Sequence, residues 1–315
     1  MLRGLLLLMV LSVSSVLQAS FFEMPGVGNS VMGQPYYIQS RHEDTFVDIA
    51  LKNGVGFDEL KLANPGVDAW IPGKGTRVLI PTYFVLPQVK HEGLVLNLAE
   101  KRMYYFAKPR IGHRPRVFTY AVSIGRQDWH TPLGSTKIVR KKKDPTWTPP
   151  ESIKKEHEEK GDPLPDVVKA GPDNPLGNRA MYLGIPGYLI HGTNKPNGIG
   201  MRVSHGCIRM LPTNIEELFD LVNVKTPVLL IDEPYKFGIL NGEIMFEAHK
   251  PANTAESLHN NRGELTRLLH EATSGSYDYD VDWNAIEEAI KNPRGIPIPV
   301  GSMQVQVVPL RAPGS

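Results

Sequence analysis

The chain has 315 residues, enough for about two domains at ~150 residues each, and its 41% apolar content supplies a buried core, which excludes disorder over the whole length. Its 35 lysines and arginines stand against 33 aspartates and glutamates, a formal charge of +2, so no global field marks it for nucleic acid or an acidic partner. A single cysteine, Cys207, excludes an intramolecular disulfide and a multi-cysteine zinc or iron–sulfur site, while 27 prolines and 29 glycines favour strands and ordered loops over a helical bundle.

Residues 1–19 read as a secretory signal peptide: Arg3 gives a positive start, Leu5 to Leu11 are almost continuously apolar, and Gln18-Ala19 offers a cleavage point before Ser20. The apolar stretch from Gly4 to Leu17 is interrupted by Ser12, Ser14 and Ser15 and is shorter than the ~20 residues a spanning helix needs. No later segment is long and apolar enough to cross a bilayer, so the mature chain is expected outside the cytoplasm with no integral membrane span. Residues 20–35, with Pro25, Gly26, Gly28, Gly33 and Pro35, read as a linker.

Residues 36–82 predict a compact strand–helix–helix–strand module. Tyr36 to Gln39 is strand-like; Thr45 is placed to cap a helix carrying Phe46, Ile49 and Ala50 on one face; a second helix starts at Phe57 and ends near Asn64-Pro65-Gly66; Arg77 to Ile80 closes a second strand. Tyr37 with Ile38, Asp44-Thr45, Ile49-Ala50, the stretch from Leu60 to Pro65, Pro72-Gly73 and Ile80-Pro81 give this module a resemblance to the LysM domain. The resemblance implies binding to N-acetylglucosamine-containing glycan strands. His42-Glu43 replaces the usual Pro-Gly before the Asp-Thr pair, in the glycan-facing loop.

Residues 92–232 change to strands and turns. Leu94 to Leu98, Arg102 to Phe106 and Val117 to Val122 are β-rich runs, with a hairpin break at Ala99-Glu100-Lys101, and predict an antiparallel β-sandwich or barrel-like sheet with a short helix. Thr131-Pro132-Leu133-Gly134 turns the chain into Lys137-Ile138-Val139. The basic run from Arg140 to Lys143 reads as a solvated turn, followed by a long Pro-rich loop with Trp147 and a charged segment from Ser152 to Lys160, the length of a substrate lid. Thr213 to Glu216 reads as a capping box opening a helix with Leu218 and Leu221 inward, before a strand at Val228 to Ile231. Residues 233–315 predict an α/irregular extension, with helical segments around 264–272 and 282–292 and a tail that frays after about residue 302.

The chemistry concentrates in Tyr188-Leu189-Ile190-His191-Gly192-Thr193 and, after a Gly-rich loop, Ser204-His205-Gly206-Cys207-Ile208-Arg209-Met210. A lone cysteine beside one histidine, with a second at the end of an apolar strand, has the parts of a thiol nucleophile and its base. A neighbouring imidazolium lowers a thiol pKa from ~8.5 toward ~3.5–7.5. Gly206 leaves room for an acyl group beside the sulfur, and Arg209 has paired donors for the loop or a substrate carboxylate. Three readings compete with this: a small buried thiol, a catalytic zinc held by two histidines and the cysteine, and a papain-like protease, whose cysteine precedes its histidine, the reverse of the order here.

His191-Gly192-Thr193 with Ser204-His205-Gly206-Cys207-Ile208-Arg209 resembles the signature of the L,D-transpeptidase catalytic domain, the YkuD family. Thr131-Pro132-Leu133-Gly134, the stretch Pro145 to Pro149, and the stretch Gly171 to Gly177 match in the same order. The resemblance implies a periplasmic cysteine acyltransferase acting on peptidoglycan, with Cys207 as nucleophile, His191 as base and ion-pair partner, and the Gly192 carbonyl orienting its ring. It gives His205 a supporting role and makes the N–H groups of Gly206 and Cys207 oxyanion donors. Trp147, Tyr188, Arg202 and Ser204 are the expected substrate contacts. Cys207 would attack the diaminopimelate carbonyl of a tetrapeptide stem and release D-alanine. The thioester would pass to a second stem (a 3-3 cross-link), to the C-terminal lysine of an outer-membrane lipoprotein, to a free D-amino acid, or to water. The family uses no metal or organic cofactor and is acylated by carbapenems. A peptidoglycan-binding protein with a degenerate catalytic fold is the reading from another class.

Overall fold

The computed structural model describes residues 21–109, 111–252, 261–276 and 278–304; the expected signal peptide and the chain from 305 onward lie outside them. The described helices are α1 (Phe46–Asn53), α2 (Phe57–Ala63), α3 (Glu151–Glu159), α4 (Pro212–Leu221), α5 (Arg262–Ala272) and α6 (Trp283–Lys291).

The middle of the chain folds into a nine-stranded sheet in the order Phe21–Glu23, Arg116–Ala121, Arg102–Phe106, Gly93–Asn97, Pro227–Ile231, Gly134–Lys143, Arg179–Leu183, Leu189–His191, Ile208–Arg209. The sheet is mainly antiparallel and curled, but two pairs run parallel: Gly93–Asn97 with Pro227–Ile231, and Leu189–His191 with Ile208–Arg209. Both join segments separated by long connections, which a parallel crossover needs and a hairpin cannot supply. The ten-residue strand Gly134–Lys143 makes the corner. Its first part pairs with Pro227–Ile231, its second with Arg179–Leu183, and a register shift between Ile138 and Arg140 bends it from one neighbour to the other. Leu94, Leu96, Met103, Met181, Ile190 and Ile208 on the sheet pack with Ile215 and Leu218 of α4 in one core.

The basic run is not the solvated turn its composition suggests. Arg140 to Lys143 lie within the corner strand, and the Lys141 ammonium donates to the carbonyls of Phe219 and Val222, the acceptors left open at the end of α4. The capping box at Thr213 is also corrected. Pro212, whose missing N–H costs nothing in a first turn, starts α4 after Leu211, with no side-chain cap. The charged segment expected in a loop forms α3, which buries Ile153.

Tyr36–Gln39 and Arg77–Ile80 pair antiparallel around α1 and α2. Thr45 and Asp48 form a reciprocal capping box, and Gly54 ends α1 in the left-handed region. The Asn64 amide ties α2 to the sheet by donating to the carbonyls of Leu60 and Leu79 and accepting from Leu79 N–H, all at 2.7–2.8 Å.

The stretch expected to be a linker contains two short strands. Phe21–Glu23 adds an edge to the main sheet and Val31–Gly33 pairs with Tyr83–Val85, because Phe22, Met24 and Met32 bury against Phe84, Leu86 and Val95 despite the surrounding glycines. The C-terminal unit is likewise not irregular. Tyr235–Leu240, Glu243–Ala248, Ile298–Met303 and Tyr279–Val281 form a four-stranded sheet packed on α5 and α6. Its strand Tyr235–Leu240 alternates buried aromatic Tyr235 and Phe237 with Lys236, whose ammonium is buried 2.9 Å from Glu100 and 3.0 Å from Glu247 and joins this unit to the main sheet.

Candidate active site

His191 and Arg209 end the two parallel strands at the edge of the sheet, where Ile190 stands opposite Ile208 and His191 opposite Arg209. Both isoleucines are fully buried in the core. Strand periodicity of two therefore sends His191 and Arg209 to the other face, while Cys207 lies in the turn that leads into Ile208, just outside the ladder. Both the thiol and the imidazole feel the Arg209 charge.

The His191 ring is buried, and its Nδ1 lies 2.7 Å from the Gly192 carbonyl oxygen. A carbonyl only accepts, so Nδ1 carries the proton of this bond and Nε2 the lone pair of the neutral ring. Burial first, and Arg209 second, pull the histidine down to about 3, opposed by hydrogen bonding to the carbonyls of Gly192 and Leu176. Gly192 sits against Leu176, Gly177 and Ile215, so the Gly171–Gly177 stretch packs beneath the histidine. Asn174 fixes that stretch by donating to the Pro145 and Lys169 carbonyls and accepting from Leu176 N–H.

Cys207 is half-buried, with Sγ 3.5 Å from the Gly187 carbonyl oxygen. Burial pushes the thiol up, while the Leu189 N–H and the Arg209 charge pull the other way. Burial thus works against charge on both groups, lowering the histidine and raising the thiol.

The turn before the cysteine is held by side chains. Ser204 Oγ donates to the Cys207 carbonyl at 2.5 Å and accepts from Gly206 N–H at 3.2 Å. Thr131 Oγ1 donates to the Gly206 carbonyl at 2.8 Å and accepts from Gly125 N–H at 3.0 Å. Gly206 has φ +97°, and a Cβ there would stand 2.9 Å from the Tyr188 ring, so no other residue fits without strain.

Several expected roles change. Ser204 is buried, with its hydroxyl turned into the loop onto the Cys207 carbonyl. Gly206 N–H, expected to face an oxyanion, donates to Ser204 Oγ instead. Arg202 donates from Nε to the Gly125 carbonyl at 3.3 Å and also bonds the Ala252 carbonyl, so it ties the C-terminal unit to the sheet. Trp147 is half-buried and makes a β-bridge with Val168. Tyr188 stays beside the turn, its ring against Gly206 and its hydroxyl donating to the His130 carbonyl at 3.3 Å. Arg209 Nε is buried with no hydrogen-bond partner, a donor without an acceptor beside the thiol.

His205 points away from the thiol chemistry. Its Nε2 lies 2.9 Å from Glu156 on α3 and its ring meets Trp129 edge-on, centroids 5.0 Å apart. Glu156 also receives a two-pronged Arg126 guanidinium at 3.0 and 2.9 Å, and the Lys160 ammonium. Those donors hold its carboxyl far below the usual range. Glu156, Arg126 and the Leu189 N–H are contacts of the His205 and Cys207 groups that sequence reasoning misses. Glu156 is one of many charges in its segment, and a backbone N–H leaves no mark in a sequence.

A family model described as the L,D-transpeptidase catalytic domain, YkuD, matches residues 92–230. The probable L,D-transpeptidase YbiS of Escherichia coli strain K12 is 38% identical over 297 residues, spanning 92% of this chain and 94% of that protein. The chain belongs to the L,D-transpeptidase family. The probable L,D-transpeptidase ErfK/SrfK of Salmonella typhimurium strain LT2 is 36% identical over 301 residues, 93% of this chain and 95% of that one. The solution structure of the E. faecium L,D-transpeptidase catalytic domain aligns at 23% identity and TM-score 0.33, over 46% of this chain and all of that domain. The protein is thus a cysteine-dependent acyltransferase, and among the described residues no helix is long and apolar enough to cross a membrane.

Proposed function

We propose that the protein is a periplasmic peptidoglycan L,D-transpeptidase, delivered by a cleaved signal peptide over residues 1–19, with Cys207 as nucleophile and His191 as base. The observation that carries this is Arg209, which stands opposite His191 in the parallel register, two residues after Cys207, and whose charge reaches both the imidazole and the thiol. His191 Nε2 takes the thiol proton as sulfur attacks the diaminopimelate carbonyl of a tetrapeptide stem. Negative charge on the carbonyl oxygen meets the Cys207 N–H, and Arg209 lies on the same face to draw a substrate carboxylate. Collapse breaks the bond to D-alanine, whose nitrogen takes the proton back from His191, and leaves a thioester. An amine then attacks with His191 again as base, and the thiol leaves protonated. The acceptor is a second stem, giving a 3-3 cross-link, or the C-terminal lysine of an outer-membrane lipoprotein. The catalytic unit is residues 92–232; the module of residues 36–82 is a LysM-like glycan tether that raises local substrate concentration; residues 233–315 form an appended subdomain. On this reading carbapenems acylate Cys207.

Mass spectrometry of the mature protein with disaccharide-tetrapeptide, with and without a lipoprotein C-terminal peptide, tests the proposal. A dimer short of one D-alanine establishes cross-linking and a peptide conjugate establishes anchoring. Bare tripeptide alone would make the protein a carboxypeptidase. No product with any acceptor would make it a peptidoglycan-binding protein.

A further inference from the structure

The segment between the catalytic histidine and the cysteine does not rest on the main sheet alone. Midway along it, Ile199 to Met201 dock on the N-terminal module. Phe57 N–H, at the start of α2, donates to the Ile199 carbonyl at 3.2 Å. A Cβ on Gly200, which has φ +85°, would stand 2.3 Å from Gly56 Cα and 2.4 Å from Phe57 N; a Cβ on Gly56 would stand 2.9 Å from Gly200 Cα. Two glycines thus let the two backbones touch where neither tolerates a side chain. Met201 packs against the module's own core, and Leu51 of α1 packs against the cluster of Ala121, Ile199 and Leu211.

From this contact the chain runs straight to the thiol. Arg202–Ser204 pairs with Ile124–Gly125, Ile124 N–H donates to the Met201 carbonyl at 3.3 Å, and Arg126 N–H donates to the Ser204 carbonyl at 2.9 Å. Ser204 then bonds the Cys207 carbonyl. The module side is equally fixed. Gly56 N–H donates to Glu59 at 2.6 Å, and Glu59 forms a buried two-pronged pair with Arg102 of the main sheet, 2.6 Å on each side. Between Gly200 and the cysteine turn the chain is paired at Arg202 and Ser204, with a register shift between them.

We infer that the N-terminal module is a positioning element of the active site: Gly56, Gly200 and Met201 set the place of the Ser204–Cys207 turn, so the module acts on turnover itself as well as on any glycan. This rests on Cys207 being the nucleophile, as proposed above. The test uses the full mature chain and reads two things: steady-state turnover of disaccharide-tetrapeptide, and the rate of Cys207 alkylation by iodoacetamide against pH. Gly200→Ala is expected to lower kcat about tenfold to 100-fold with KM nearly unchanged, and to shift the alkylation profile. Met201→Ala lowers kcat in the same direction by a smaller factor, Met201→Leu restores it, and both keep the inference testable where Gly200→Ala fails to fold. Leu269→Ala, in the C-terminal core, supplies a variant of matched thermal destabilisation and leaves kcat and the alkylation profile at wild-type values. Unchanged kcat in both Gly200→Ala and Met201→Ala, or an equal loss in Leu269→Ala, overturns the inference. Alkylation needs no peptidoglycan, so a wild-type protein inert toward tetrapeptide counts against the substrate reading while the loop test still stands.

Discussion

The two halves of the proposed catalytic pair, His191 and Cys207, are held in different ways. His191 sits on regular structure: a strand in register with its neighbour, an apolar residue before it in the core, and a glycine carbonyl holding its ring. Cys207 sits on a turn that no ladder supports, stapled by Ser204 and Thr131, closed by a positive-φ glycine and backed by a contact with another module. The histidine is placed by local pattern and the cysteine by partners far away in sequence. One half should therefore fail through chemistry and the other through geometry.

The largest effect belongs to the nucleophile. Cys207→Ala is expected to remove at least ~1000-fold of turnover while the melting transition and the circular dichroism spectrum stay as in wild type. Loss of folding would identify a structural thiol instead. His191→Gln keeps the ring's volume poorly and removes the base, so turnover falls by ~100-fold to ~10000-fold, measured as kcat/KM. On the other half, Ser204→Ala leaves Gly206 N–H and the Cys207 carbonyl without their partner. It should cost about 1–3 kcal/mol in chemical denaturation and a smaller fraction of turnover than His191→Gln.

The pH response separates the halves in another way. The folded His191 pKa of about 3 lies below its unfolded value, so the unfolded chain binds the extra proton between the two. Stability from this group is complete above about 6.5 and is lost as pH falls toward 3, and His191→Gln should flatten that decline in urea titrations. Because burial raises the Cys207 thiol, wild-type alkylation should climb with pH through the thiol range without an acidic plateau. A plateau below pH 6 would mean an imidazolium–thiolate pair. The smallest effect is expected at Glu156→Gln, which weakens the Arg126, Lys160 and His205 contacts of α3 but leaves the thiol face intact; a few-fold change in KM is the measurement.

The sequence makes the first half of this site readable and the second only in outline. His191 ends an apolar run, and Cys207 is the one cysteine, so both stand out. The strand–helix–helix–strand module is legible because Thr45, Asp48 and Asn64 use local rules that a short window contains. Nothing local shows that Ser204 bonds the Cys207 carbonyl or that Arg202 Nε and Nη1 bond the carbonyls of Gly125 and Ala252. The strands at Phe21–Glu23 and Val31–Gly33 were hidden by glycine and proline, since their burial comes from residues far along the chain such as Phe84 and Phe118. In the C-terminal sheet, Ile298–Met303 is masked by Pro299 and Gly301 and Tyr279–Val281 is only three residues, whereas the hairpin Tyr235–Leu240/Glu243–Ala248 around Asn241-Gly242 carries a local signal that the reading passes over.

The most direct measurement of the central claim is intact-protein mass spectrometry after brief acid quench of the enzyme with disaccharide-tetrapeptide and no acceptor. The account predicts a covalent adduct of the substrate less D-alanine, released by hydroxylamine as a thioester, mapped to Cys207 and missing from Cys207→Ala. An adduct on another residue, or equal D-alanine release from Cys207→Ala, would contradict it.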